Sequence, residues 1–141
     1  MNKKLQFLSY LIVFIGCSKV IDEEALIEKS SVTYAKGSTV PFTGEIMGKY
    51  DSGQERIKGA YIDGQREGLW IFLHKNGQES EKGEYSNGNK KGGWSKWYED
   101  GILESKGTYS NGMVEGLWKF WHNNGTKEKE ITFVDGKENG Q

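Results

Sequence analysis

An all-β fold, an elongated antiparallel meander of β-hairpin repeats, is predicted by three features of this 141-residue sequence. One period of 24 residues organises the chain after residue 40, each period carries two turn signals, and the apolar area is concentrated in aromatic rings set among 20 glycines. A self-similar period of this size is the mark of a stacked repeat architecture, in which each unit buries its apolar face against its neighbours.

The chain opens differently. Lys3 and Lys4 precede an apolar run from Leu5 to Ile15, too short to span a bilayer comfortably and shaped like a signal peptide over residues 1–16. Phe14-Ile15-Gly16-Cys17 closes the run and resembles the lipobox of bacterial lipoproteins, with Phe14 where that motif mostly has leucine. The resemblance implies cleavage before Cys17 and lipid attachment to it, and hence membrane association through the lipid. Cys17 is the only cysteine, so no internal disulfide and no multi-cysteine metal site is available. Residues 17–39 are polar and without period. They are expected to be a lipidated N-terminus and linker, with a short helix over 22–30 as the alternative.

The repeat domain is expected over 40–141, in units of about 44–67, 68–91, 92–115 and 116–139. Its period follows from subtraction, since Gly44, Gly68, Gly92, Gly116 and Gly140 are each 24 apart. Ser52-Gly53, Asn76-Gly77, Asp100-Gly101 and Asn124-Gly125 form one turn column, and Asp63-Gly64, Asn87-Gly88, Asn111-Gly112 and Asp135-Gly136 the other. Such dipeptides suit two-residue hairpin turns, whose central positions both need positive φ. The turn glycines alternate at 11 and 13 residues, as 64 minus 53 and 77 minus 64 show.

Two-residue turns fix the register, because paired positions then sum to a constant. About Asn76-Gly77 the sum is 153, which sets Trp70 opposite Gly83; the same step sets Trp94 opposite Gly107, Ile46 opposite Gly59 and Trp118 opposite Ile131. An aromatic ring laid over its cross-strand glycine fills the space that glycine leaves. Alternation then predicts a core face of Trp70, Phe72, His74 and Gly83, continued by Trp94, Lys96, Tyr98 and Gly107 and by Trp118, Phe120 and His122, with Tyr85 and Tyr109 on it too. The opposite face carries Leu69, Ile71 and Leu73, then Gly93, Ser95 and Trp97, then Leu117, Lys119 and Trp121. It varies from unit to unit, which marks it as free of the packing constraint. Trp97 and Trp121, one period apart, are the candidate partner-binding residues, the alternative being a second small core against residues 20–30 or a curled sheet edge.

The columns Gly-x-Trp, Asn-Gly, Gly-x-Tyr and Asn-Gly resemble the MORN repeat in its bacterial variant; 68–91, 92–115 and 116–139 match well, and 44–67 less well because Ile46 replaces tryptophan. The resemblance implies a single-sheet meander used as an interaction platform. Bacterial members are often labelled antitoxins, and other MORN proteins are associated with membranes and lipids; an export signal sits badly with a cytoplasmic antitoxin.

Catalytic readings find little support. His74 and His122 occupy the slot that Tyr50 and Tyr98 fill elsewhere, and a metal ligand or general base is not interchangeable with tyrosine. No metal site and no cofactor is therefore expected. The carboxylates lie in turns and strand edges without a cleft to raise one pKa, and Gly-x-Ser-x-Gly does not occur. Gly88-Asn89-Lys90-Lys91-Gly92 lacks the Gly-Lys-Ser/Thr of a phosphate loop. With 19 basic against 20 acidic residues and no block of like charge, nucleic acid is excluded as an expected partner. The expectation is a non-enzymatic, lipid-anchored protein of the bacterial envelope, periplasmic or surface-facing, that binds another protein. Glycan or cell-wall binding is the alternative, since Gly93 to Gly101 also resembles one choline-binding-type repeat, and an immunity or antitoxin role is a further one.

Overall fold

The computed structural model describes residues 20–139. Cys17 and the expected signal peptide lie outside the described residues. The strands in chain order are β1 (Ile21–Asp22), β2 (Leu26–Lys29), β3 (Val32–Ala35), β4 (Gly44–Lys49), β5 (Glu55–Ile62) and β6 (Gln65–Leu73). They continue as β7 (Glu79–Ser86), β8 (Asn89–Trp97), β9 (Leu103–Ser110), β10 (Met113–Trp121), β11 (Lys127–Val134) and β12 (Lys137–Glu138). β4 to β12 pair in sequence order as one antiparallel meander; β1 adds to β4 in parallel, and β2 and β3 form a separate hairpin.

The two turn columns are built differently. Asp63, Asn87, Asn111 and Asp135 have φ of 48–50° and are followed by glycines at 75–81°, so these are two-residue turns with both central residues left-handed, as expected. In the other column only the glycines at 53, 77, 101 and 125 have positive φ. There His74 N–H donates to Gln78 O at 2.8 Å and Gly77 N–H to His74 O at 2.9 Å, which closes a three-residue loop with glycine at its left-handed position. The expected two-residue turn is therefore corrected at this column. A three-residue loop sets the sum at 152, as Leu73 opposite Glu79 shows, and a bulge at Ser80 then restores 153. Trp70 consequently does face Gly83, Trp94 faces Gly107, Ile46 faces Gly59 and Trp118 faces Ile131.

The alternation of 11 and 13 residues has a second consequence. Across β5 and β6 the paired positions sum to 127 near the turn, as for Ala60 and Glu67, but to 129 for Lys58 and Ile71. Two extra residues of β6 are taken up opposite Gly59, at Gly68, whose φ is 69°. This bulge carries Trp70 back across the ladder, and it explains a correction to the packing. A Cβ on Gly83 would collide with the ring of Trp94, not with that of its partner Trp70; likewise Gly59 makes room for Trp70 and Gly107 for Trp118. Each tryptophan thus lies over the glycine of the strand before it, eleven residues back, and not over the glycine it faces.

These rings build the core. Trp70, Trp94, Trp118, Tyr61 and Tyr85 are buried and Tyr109 packs against them. Tyrosine and tryptophan alternate edge to face: Tyr61 to Trp70 at 5.2 Å, Tyr85 to Trp94 at 5.2 Å and Tyr109 to Trp118 at 5.2 Å, with interplanar angles of 88–89°. Such pairs contribute about 0.5–1.5 kcal/mol each beyond their burial.

Residues 20–39 do not form the expected tether. Asp22 caps a single 3-10 turn, Glu23–Ala25, in place of a helix over 22–30. β2 and β3 then dock beside the first unit, where Thr33 N–H donates to Gly64 O at 2.9 Å and Leu26 packs on the core. Polar composition hid this segment because most of its side chains face solvent and only Thr33 is buried.

Candidate functional site

Strand alternation gives the sheet two unlike faces. On the ladder face, side chains from consecutive units clasp one another: Tyr50 Oη donates to Leu73 O at 2.7 Å, His74 Nε2 to Trp97 O at 2.8 Å and Tyr98 Oη to Trp121 O at 2.9 Å. Histidine and tyrosine share the slot because each delivers one donor to the carbonyl 23 residues on. His74 Nε2 must carry the proton, since a carbonyl only accepts. Among the described residues no group of three or more His, Cys, Asp or Glu is placed to hold a metal ion.

A column missed in the sequence lies over the same ladder. Phe42, Arg66, Lys90 and Val114 are 24 apart. Phe42 meets Tyr61 at 6.0 Å, the Arg66 guanidinium lies 4.5 Å from the centroid of Trp70, and Lys90 Nζ lies 3.9 Å from that of Trp94. Its signal was present in the period but masked by chemical diversity, since an aromatic, two cations and an aliphatic share one role.

Trp97 and Trp121 sit on the opposite face, both half-buried. Trp97 borders a shallow groove of about 340 Å³ with Leu69, Lys82, Glu84, Gly93 and Ser95. Gly93 shapes it: a Cβ there would meet nothing within 4 Å, while its repeat equivalents Leu69 and Leu117 stand 51% and 47% exposed. A dent therefore separates two exposed leucines, with Trp97 beside it. The alternative of a second core against residues 20–30 fails for Trp97, because that segment packs against the first unit and lines no part of the groove. Two lysines on this face are paired locally, Lys82 with Glu79 at 2.9 Å and Lys119 with Glu130 at 3.6 Å, and such exposed pairs contribute little to stability.

Comparison with known proteins bears on the repeats directly. The pattern of the MORN repeat variant matches residues 90–111 and 114–135, in the phase of the strand pairs described above. No curated protein matches the chain. Among solved structures, a crystal structure of the GtfA/B complex bound to UDP and GlcNAc aligns at 15% identity and a TM-score of 0.32, over 79% of this chain and 24% of that one. That likeness is too low to bear on fold or activity, and the chain spans only a fraction of that protein. MORN repeats are generally protein- or membrane-binding modules. Residues 90–111 and 114–135 are thus repeats of the MORN variant type.

Proposed function

We propose that this chain is a non-enzymatic, lipid-anchored protein of the bacterial envelope that captures a protein partner on the outer face of its repeat sheet. One observation carries the reading: the ladder face buries tryptophans that recur with the period, Trp70, Trp94 and Trp118, whereas the opposite face presents a dent at Gly93 between exposed Leu69 and Leu117, flanked by Trp97. A half-exposed tryptophan beside a dent lined by Leu69 together with Lys82, Glu84 and Ser95 is a suitable anchor for a partner's side chain. The lipid anchor and the envelope location rest on Phe14-Ile15-Gly16-Cys17 after the apolar run. The same ring also suits stacking on a sugar, which keeps a glycan as the second reading.

Capture from detergent-solubilised envelope, with Trp97→Ala/Trp121→Ala beside wild type, tests the site. The expected result is a partner held by wild type and weakened by about 2 kcal/mol or more in the variant, as for loss of an interface aromatic anchor. Equal capture by both would remove the site. Binding to isolated peptidoglycan that depends on Trp97, with no protein partner, would move the assignment to the glycan reading.

A further inference from the structure

The column over the ladder contains a cation that has lost its acid. Lys90 is held by Glu81 at 2.5 Å while it lies over Trp94. One period earlier the same two positions are Arg66 and Ile57, because 90 minus 24 is 66 and 81 minus 24 is 57. One period later they are Val114 and Ser105, so there the cation and the acid have disappeared together. Only the Arg66 unit keeps the charge without its counter-ion. Ile57, 2% exposed, fills the place of the carboxylate, and no ion pair to Arg66 forms among the described residues.

Arg66 is nevertheless positioned. Its Nη1 donates to the Tyr85 hydroxyl at 3.1 Å, and its guanidinium carbon lies 4.5 Å from the centroid of Trp70 and 5.3 Å from that of Tyr85. Burial works against its charge, but the Tyr61 and Tyr85 hydroxyls more than offset this and hold its pKa above the usual value. Arg66 also lines a polar cleft of about 330 Å³ at the seam between the β2–β3 hairpin and the sheet, with Ser31, Thr33, Gln65, Asn87 and Asn89 around it and Glu28 as the acidic residue of the lining. Gln65 Nε2 donates across that seam to Ser31 O at 3.0 Å, fixing one wall.

We propose that this seam cleft is a carboxylate-binding site, in which Arg66 receives an Asp or Glu side chain of an acidic peptide segment in place of the intramolecular acid that Lys90 has. A guanidinium held close to two aromatic rings and by one hydrogen bond has donors left in a planar fork, the geometry that matches a carboxylate. The amide and hydroxyl groups around it suit the peptide backbone that would carry the acid. Glu28 opposes the ligand and sets its affinity from the rim. The site is separate from the Trp97 groove and stands independently of that assignment.

The test is a titration of the full chain with a fluorescein-labelled hexaglutamate peptide at low salt, followed by anisotropy. Arg66→Met, which keeps an unbranched chain over the rings, should weaken binding at least tenfold; Arg66→Lys should weaken it several-fold; Glu28→Gln should tighten it. N-acetylglutamate should compete, and inorganic phosphate at the same concentration should not. Trp97→Ala should leave this affinity unchanged. The proposal is overturned if hexaglutamate does not bind wild type, if folded Arg66→Met binds as wild type does, if phosphate competes equally, or if Trp97→Ala abolishes binding. Should Arg66→Met fail to fold by circular dichroism, unchanged affinity in both Arg66→Lys and Glu28→Gln overturns it as well.

Discussion

Glycines at equivalent-looking places in this sheet do opposite things. Gly83 lies under the ring of Trp94, and Gly107 under that of Trp118, so an added side chain has nowhere to go. Gly83→Val should therefore destabilise by about 1–3 kcal/mol, the usual cost of overpacking, despite the better strand propensity of valine. Gly93 sits in extended backbone with open space above it, and Gly93→Ala should be neutral or gain about 0.5–1 kcal/mol, the amount by which alanine exceeds glycine inside a strand. Urea titration of both variants decides it; the reverse order would mean that the faces are misassigned. The three ladder tryptophans are not equal either. Trp94 Nε1 donates to Glu84 O at 3.2 Å and Trp118 Nε1 to Thr108 O at 3.1 Å, whereas Trp70 Nε1 is buried without a hydrogen-bond partner, an arrangement that typically costs about 1–3 kcal/mol.

Between elements, the repeats are held in phase by contacts that skip a hairpin. The clasp from His74 to Trp97 O joins adjacent three-residue loops, and at the other margin Gly88 N–H donates to Arg66 O at 3.0 Å and Gly112 N–H to Lys90 O at 2.9 Å. Both margins of the sheet are thus stitched, which limits how far one hairpin can open without its neighbour. His74→Tyr should be close to neutral, because Tyr50 and Tyr98 already make the same bond. His74→Phe should lose about 1 kcal/mol, the net worth of one hydrogen bond. A thermal melt in which both variants match wild type would show that the slot needs only a ring.

For the whole molecule, a single open sheet leaves two edges to manage. β1 and β12 are two residues each, and the outer strand β11 begins Lys127-Glu128-Lys129-Glu130, all exposed. Short and charged edges discourage edge-to-edge pairing. Trp70 and Trp118 are buried and Trp97 and Trp121 are not, so Trp70→Ala and Trp118→Ala should unfold the protein at temperatures where Trp97→Ala and Trp121→Ala remain folded by circular dichroism. The reverse pattern would remove the residues on which partner binding rests. Anchoring is tested at the same scale: Cys17→Ala should move the protein from the membrane fraction to the soluble one, and retention of an unlipidated wild type at the membrane would end the lipoprotein reading.

The sequence by itself determined the period, the strand order, the facing pairs and which face carries the ladder. All of these follow from side-chain alternation and from glycines that recur at one spacing. Its register was right although one turn column was misread, because the three-residue loop and the bulge at Ser80 cancel in the sum. The tertiary structure alone decided which glycine each ring covers, since the bulge at Gly68 moves Trp70 over Gly59 by a two-residue shift between β5 and β6 that the pairing about Asn76-Gly77 does not register. It alone decided that residues 20–39 dock on the sheet, because backbone hydrogen bonds such as Thr33 to Gly64 carry no side-chain signature. It also revealed the uncompensated Arg66, for a missing counter-ion becomes visible only when Lys90 is seen bound to Glu81 across the two strands of one hairpin.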